Sequence, residues 1–195
     1  MTAPATDQEL AQRIGAGDRD ALGEAYARES DRVYRYVLAM TNNPALAADV
    51  LQDTFLLFAA RPAGYRPERG PLQAYLVGIA RHKVLAHWSS DAKHTSLDAD
   101  GAPVLEADLD DDPGALLVAR QDSEALMSAI ARLPAPFREA LVLVELQERS
   151  YAEAAAIAGI ELNTLRTRLH RAKLKLAQML APAQHAVHEA SNVRA

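Results

Sequence analysis

The densest chemistry in the sequence lies between residues 150 and 175. Asn163, Thr164, Arg166, Thr167, Arg168, His170, Arg171, Lys173 and Lys175 place amide, hydroxyl, imidazole and cationic groups in one short stretch with no acid among them. Such a set suits recognition of nucleic acid. Arg can engage guanine with two hydrogen bonds, Asn can pair with adenine, Thr can touch a methyl group or a phosphate, and Lys can neutralise phosphates. The spacing predicts the element that presents them. Leu162, Leu165, Leu169, Ala172 and Leu176 gather on one side of a helical wheel, leaving Asn163, Thr167, His170 and Arg171 opposite and Thr164 and Arg166 alongside. Upstream, Ser150 and Glu153 form a capping box, Ala154 and Ala155 are small enough for a close helix crossing, and Gly159 can adopt the left-handed backbone of a tight turn. A solvated basic face is the plainer reading of any one of these arginines. Cap, turn glycine and basic helix together predict a helix-turn-helix whose second helix reads a major groove.

Two further groups could contact a partner. Asp49, Gln52 and Asp53 recur at a spacing that keeps them together on a helix, with Phe55 following; taken alone they read as an ordinary acidic surface. Residues 62–71 hold three prolines and two glycines around Tyr65, Arg66 and Arg69, which predicts an exposed loop whose ring and cations could stack on and hold an unpaired base. A loop tyrosine that simply packs is the alternative. His82 and His87 are five apart and do not share a helical face, and His94 falls where a linker is expected, so no metal site is predicted. No glycine-rich phosphate loop, G-x-S-x-G elbow or H-E-x-x-H pair occurs. No catalytic residue, cofactor or enzymatic activity is therefore expected.

The elements that must position these groups are helices. The 195 residues are 49% hydrophobic, 24% charged and 5% aromatic, rich in Ala and Leu, which disfavours disorder and an all-β fold. Cysteine is absent, no apolar run approaches a membrane span, and Met1 to Asp7 lacks the basic-then-apolar order of a signal peptide, so a cytoplasmic protein without membrane insertion is expected. Helical periodicity and caps divide the chain into an all-α fold of two small domains. The first, 1–90, has four helices, with breaks at Gly15 and Gly17, at Asn42-Asn43-Pro44 and at the loop 62–71. An acidic flexible linker, 91–113, follows. The helix-turn-helix domain spans 114–181, and a tail 182–195 completes the chain. The formal net charge of −5 hides this division, because the linker is strongly acidic and the reader helix strongly basic.

The motifs in this order resemble those of the extracytoplasmic-function (group IV) sigma factors of bacterial RNA polymerase, in the sigma-70 superfamily. Asp49-Val-Leu-Gln-Asp-Thr-Phe55 is similar to the family's polymerase-clamp helix, and Tyr75-Leu-Val-Gly-Ile-Ala-Arg81 to the helix facing the melted promoter. Leu133-Pro-Ala-Pro-Phe-Arg-Glu-Ala-Leu141 and Tyr151 to Lys173 resemble the domain that binds the minus-thirty-five element. The resemblance implies that Asp49, Gln52, Asp53 and Phe55 meet core polymerase. It likewise implies that Tyr65, Arg66, Arg69, Arg81, His82 and Lys83 face the minus-ten element. Asn163, Thr164, Arg166, Thr167, Arg168, His170, Arg171 and Lys173 would then face the minus-thirty-five duplex. The implied partners are the polymerase β′ clamp and β flap and promoter DNA, with an anti-sigma factor as a further one. The sequence departs from the family's pattern at Tyr75, Val77, Gly78, His82, Ala86, Glu161 and Asn163. A stand-alone helix-turn-helix regulator, dimeric and independent of polymerase, is the alternative function.

Overall fold

The computed structural model describes residues 5–94 and 125–180, with side chains omitted for 90–94. Helix α1 (Asp7–Gly15) opens at the capping box: Thr6 accepts from the Glu9 amide, and the Glu9 carboxylate accepts from the Thr6 backbone, which holds that carboxyl below its usual value. Helix α2 (Arg19–Thr41) is capped by Asp18, which accepts from the Asp20 and Ala21 amides, and stops where Asn42 turns left-handed. Its buried stripe runs through Ala21, Ala25, Glu29, Val33, Tyr36, Val37 and Met40. Asn43 then caps α3 (Pro44–Ala60), whose first-turn proline needs no amide partner. Two short 3-10 turns, Pro62–Gly64 and Pro67–Arg69, lead to α4 (Leu72–His94).

Asp7 ties the ends of this bundle together. Its carboxylate accepts from the Leu72 amide at 2.6 Å, a negative charge at the start of α4, and also receives the Arg28 guanidinium. Tyr36, Phe58, Leu10, Met40, Leu72 and Leu76 fill the interior. Fully burying each such side chain is worth about 1.5–3 kcal/mol before the entropic cost of ordering it.

In the second domain, helical residues 125–131 (α5) precede α6 (Ala135–Leu141), which runs on into a π-helical turn, Val142–Leu146. Helix α7 (Tyr151–Ala158) begins at the predicted capping box and ends at Gly159, whose φ of 66° is left-handed. Helix α8 (Leu162–Leu180) buries Leu165, Leu169 and Ala172 against α6 and α7. Arg138 on α6 donates to the carbonyls of Ala131 and Leu133, satisfying the end of α5.

The fold class is as expected: all-α, with no strand among the described residues, and none of the described helices is long and apolar enough to cross a membrane. Two features differ from the expected organisation. Helix α4 continues to His94, past the boundary expected at 90, and residues 95–124 and 181–195, which hold most of the expected linker and the tail, lie outside the described residues. The two domains also dock on each other, so their buried residues form one continuous apolar cluster. Periodicity within single helices carries no trace of that docking.

The second capping box gives a stability prediction. Ser150→Ala should cost about 1 kcal/mol in chemical denaturation, since it removes a helix cap. Hydrogen bonds from Ser150 hold the Glu153 carboxyl below its usual 4.5, so its contribution is fully present above pH 4.5 and is lost as pH falls through the depressed folded value. Glu153→Gln should remove that part of the acid sensitivity.

Candidate nucleic-acid interface

The reader helix α8 is positioned by packing on one side and left open on the other. Leu165, Leu169 and Ala172 are buried, while Asn163, Thr164, Arg166, Thr167, His170, Arg171 and Lys173 are exposed and Arg168 is half-buried, as the wheel predicts. Asn163, Thr164, Thr167, Arg168 and Arg171 share with Phe137 of α6 the lining of a shallow hollow of about 360 Å³. Two side chains are already oriented. The Arg166 guanidinium lies 6.0 Å from the Tyr151 ring centroid and donates to Asn163 Oδ1 at 3.4 Å, while the Thr167 hydroxyl donates to the Asn163 carbonyl at 2.9 Å. The Thr167 hydroxyl proton is thus used within the helix, which leaves its methyl and its oxygen lone pairs for a ligand. Lys173 pairs at 2.8 Å with Glu145 of the π-helical turn, and that hydrogen bond raises its pKa. The partner comes from another element, so nothing in the α8 sequence signals it.

In the first domain, Asp49, Gln52 and Asp53 are exposed on α3. Phe55, grouped with them on sequence, is buried, its ring centroid 4.9 Å from that of Tyr26. With Tyr26, Leu51, Gln52 and Leu56 it lines a groove of about 640 Å³ between α2 and α3, so it shapes this face from beneath. Asp53 also pairs with Lys83 of α4 at 2.7 Å, joining a residue expected on the polymerase face to one expected on DNA.

The loop 62–71 corrects one expectation. Arg66 and Arg69 are exposed as expected, but Tyr65 is only 6% exposed. Its hydroxyl donates to the Gly70 carbonyl at 3.2 Å and approaches Asp7, and its ring packs 5.8 Å from that of Tyr75. Burial, reinforced by Asp7, raises its pKa, so the hydroxyl stays protonated and donating. Tyr65 therefore braces the loop from inside, the packing alternative, because its ring fills the gap between the loop and α4. Of the α4 residues, His82 is exposed, with Nδ1 2.7 Å from the Gly78 carbonyl. Arg81 is instead turned into the domain interface, where Nε donates to Glu139 Oε1 at 2.5 Å and Nη2 to the Ala158 carbonyl at 2.9 Å.

Residues 25–94 match the family model described as sigma-70 region 2, and residues 123–176 match sigma-70, region 4. The chain is 32% identical over 173 residues to the ECF RNA polymerase sigma factor BldN of Streptomyces coelicolor, a match spanning 88% of this chain and 65% of that protein. It is 30% identical over 171 residues to the RNA polymerase sigma factor CarQ of Myxococcus xanthus, covering 87% of this chain and 94% of that one. The fold resembles that of the sigma factor RpoE solved in complex with the anti-sigma factor NepR from Bartonella quintana. The TM-score is 0.69 at 19% identity, covering 83% of this chain and 98% of that chain.

The Glu145 pairing yields a prediction. Glu145→Gln should free Lys173 and steepen the salt dependence of nonspecific duplex binding by about one unit of log K against log salt, as one more phosphate is neutralised. A filter-binding titration at several salt concentrations reads it.

Proposed function

As the chain belongs to the sigma-70 family, in its extracytoplasmic-function group, we propose that it binds core RNA polymerase and directs promoter-specific initiation of transcription. The observation that carries this reading is the presence, in one chain and in the family's order, of an acidic-amide face on α3 and an open, preoriented basic helix α8. A stand-alone operator-binding regulator needs no polar α3 face beside an apolar groove, and is not favoured.

Residue roles follow from exposure and chemistry. Asp49, Gln52 and Asp53 meet basic groups of the polymerase β′ clamp, and the groove floored by Phe55 receives apolar side chains beside them. Arg66, Arg69 and His82 present cations and a ring to the opened minus-ten strand, with Tyr65 fixing the loop and Arg81 and Lys83 joining once released from Glu139 and Asp53. On the upstream duplex, Arg171 and Arg166 read base edges. Asn163, Thr164 and His170 reach base edges or phosphates, Thr167 offers its methyl, and Arg168 and Lys173 hold phosphates. The β flap is the expected partner of the second domain. RpoE was solved with an anti-sigma factor, which makes such a protein a further partner to seek for this chain.

Pull-down with core polymerase tests the first assignment. The Asp49→Ala, Gln52→Ala double variant should lose association with helical content unchanged; it leaves the Asp53–Lys83 pair intact and so isolates the contact. Retained association would refute the assignment. For the upstream element, Arg171→Ala or Arg166→Ala should cost ~1–3 kcal/mol and relax preference at one base pair. Transcription from a panel of upstream-element variants separates this from a uniform loss, which would mark both residues as phosphate contacts.

A further inference from the structure

We infer that Tyr151 is a positioning residue for upstream-element recognition, its ring holding the Arg166 guanidinium in the pose that reads a base edge. The inference rests on the base-reading role proposed above for Arg166. An arginine on an exposed helix face has many rotamers to lose when it docks on one base, and the same freedom lets it settle on a neighbouring base or a phosphate instead. Arg166 is held before any DNA arrives. One hold comes from its own helix, where Nη1 donates to Asn163 Oδ1 at 3.4 Å, and the other from α7, where the guanidinium lies over the Tyr151 ring at 6.0 Å from its centroid. A long hydrogen bond between exposed groups is a weak tether by itself. The ring supplies the second point that a fixed direction needs.

The ring is in turn placed by the chain around it. Tyr151 is the first residue of α7, and the reciprocal Ser150–Glu153 capping box fixes the backbone there, with the Ser150 amide donating to the Glu153 carboxylate at 3.0 Å. Ala154 and Ala155 are buried where α7 packs on α8, and the left-handed Gly159 sets the turn between the two helices. The Tyr151 ring itself is 42% exposed and is not part of the apolar core. Its contact leaves the reading edge of Arg166 unused. The Asn163 bond takes one Nη1 proton and attraction to the ring face takes none, so Nε and Nη2 keep donors for the two hydrogen bonds that pick out a guanine. Positioning of this kind needs the ring and not the hydroxyl, which separates it from a direct hydrogen bond between Tyr151 and a phosphate.

The test uses the full chain with core polymerase on the panel of upstream-element variants, scored as the ratio of initiation with the preferred and the exchanged base at the pair that Arg166→Ala relaxes. Tyr151→Ala should lower that ratio about two- to fivefold, the range an exposed cation–π contact supports, with the other pairs and the helical content unchanged. Tyr151→Phe keeps the ring and should retain the parent ratio, whereas Tyr151→Leu, which has bulk but no π face, should behave as Ala does. In an Arg166→Ala background, Tyr151→Ala should change the ratio no further, because the two residues act as one unit. A ratio that Tyr151→Ala leaves unchanged, or that Tyr151→Leu retains, overturns the ring as the holding group and leaves Arg166 as a reader. A loss shared by Tyr151→Phe, or spread evenly over all pairs, overturns it as well and marks a phosphate contact or a role in stability. If Arg166→Ala relaxes no pair, the base-reading role and this inference fall together, while chain-dependent initiation in every arm leaves the promoter function standing.

Discussion

Helix α4 has to satisfy two cores at once, and the rest of the architecture follows from how it does so. Leu72, Leu76, Val77, Ala80 and Val84 are buried, while Gly78, Ile79 and His82 border the cavity shared with α7. A guanidinium on such a helix cannot be left without partners, because an unpaired buried charge is far more costly than a paired one. Arg81 reaches across to Glu139 and to the Ala158 carbonyl at the end of α7, so a charged residue of α4 ties this helix to the second domain. Near it lies the buried Tyr36 hydroxyl, which burial and the Glu139 carboxylate push far above its usual titration range.

The same logic governs the rest of the cationic surface. Lys83 is held by Asp53 and Lys173 by Glu145. Three basic residues assigned to DNA are thus compensated within the chain, which fits a protein whose formal net charge is −5. Exposed pairs of this kind are worth only about 0–1 kcal/mol, so they yield readily to a polyanion, whereas the Arg81 pair is shielded from solvent. Arg171 has no such compensation among the interactions described above and sits on the open side of α8, where a base edge can reach it.

Local features were legible in the sequence wherever the responsible residues are neighbours in the chain. Both capping boxes, the Asn43-Pro44 start of α3, the left-handed Gly159 and the buried Leu165–Leu169–Ala172 stripe were all readable from spacing. The exposed face of α8 followed from the same wheel. Tyr65 was misjudged because turn chemistry says that a loop exists but not which side chain it folds inward. Asp7, its partner, stands 58 positions away. The Arg81–Glu139 pair was invisible for a similar reason: the two residues are also separated by 58 positions and lie on helices whose own periodicity is complete without them. Phe137 at the α8 hollow and Glu145 on Lys173 belong to this class of long-range neighbours.

The central claim is that this chain confers promoter choice on a polymerase. Its most direct test is transcription by purified core polymerase on a fragmented genomic DNA library, with and without the chain, followed by mapping of the transcript 5′ ends. The account predicts a discrete set of chain-dependent start sites sharing an upstream and a minus-ten element at fixed separation. Start sites indifferent to the chain, together with tight specific duplex binding by the chain in the absence of polymerase, would contradict it and favour a stand-alone regulator.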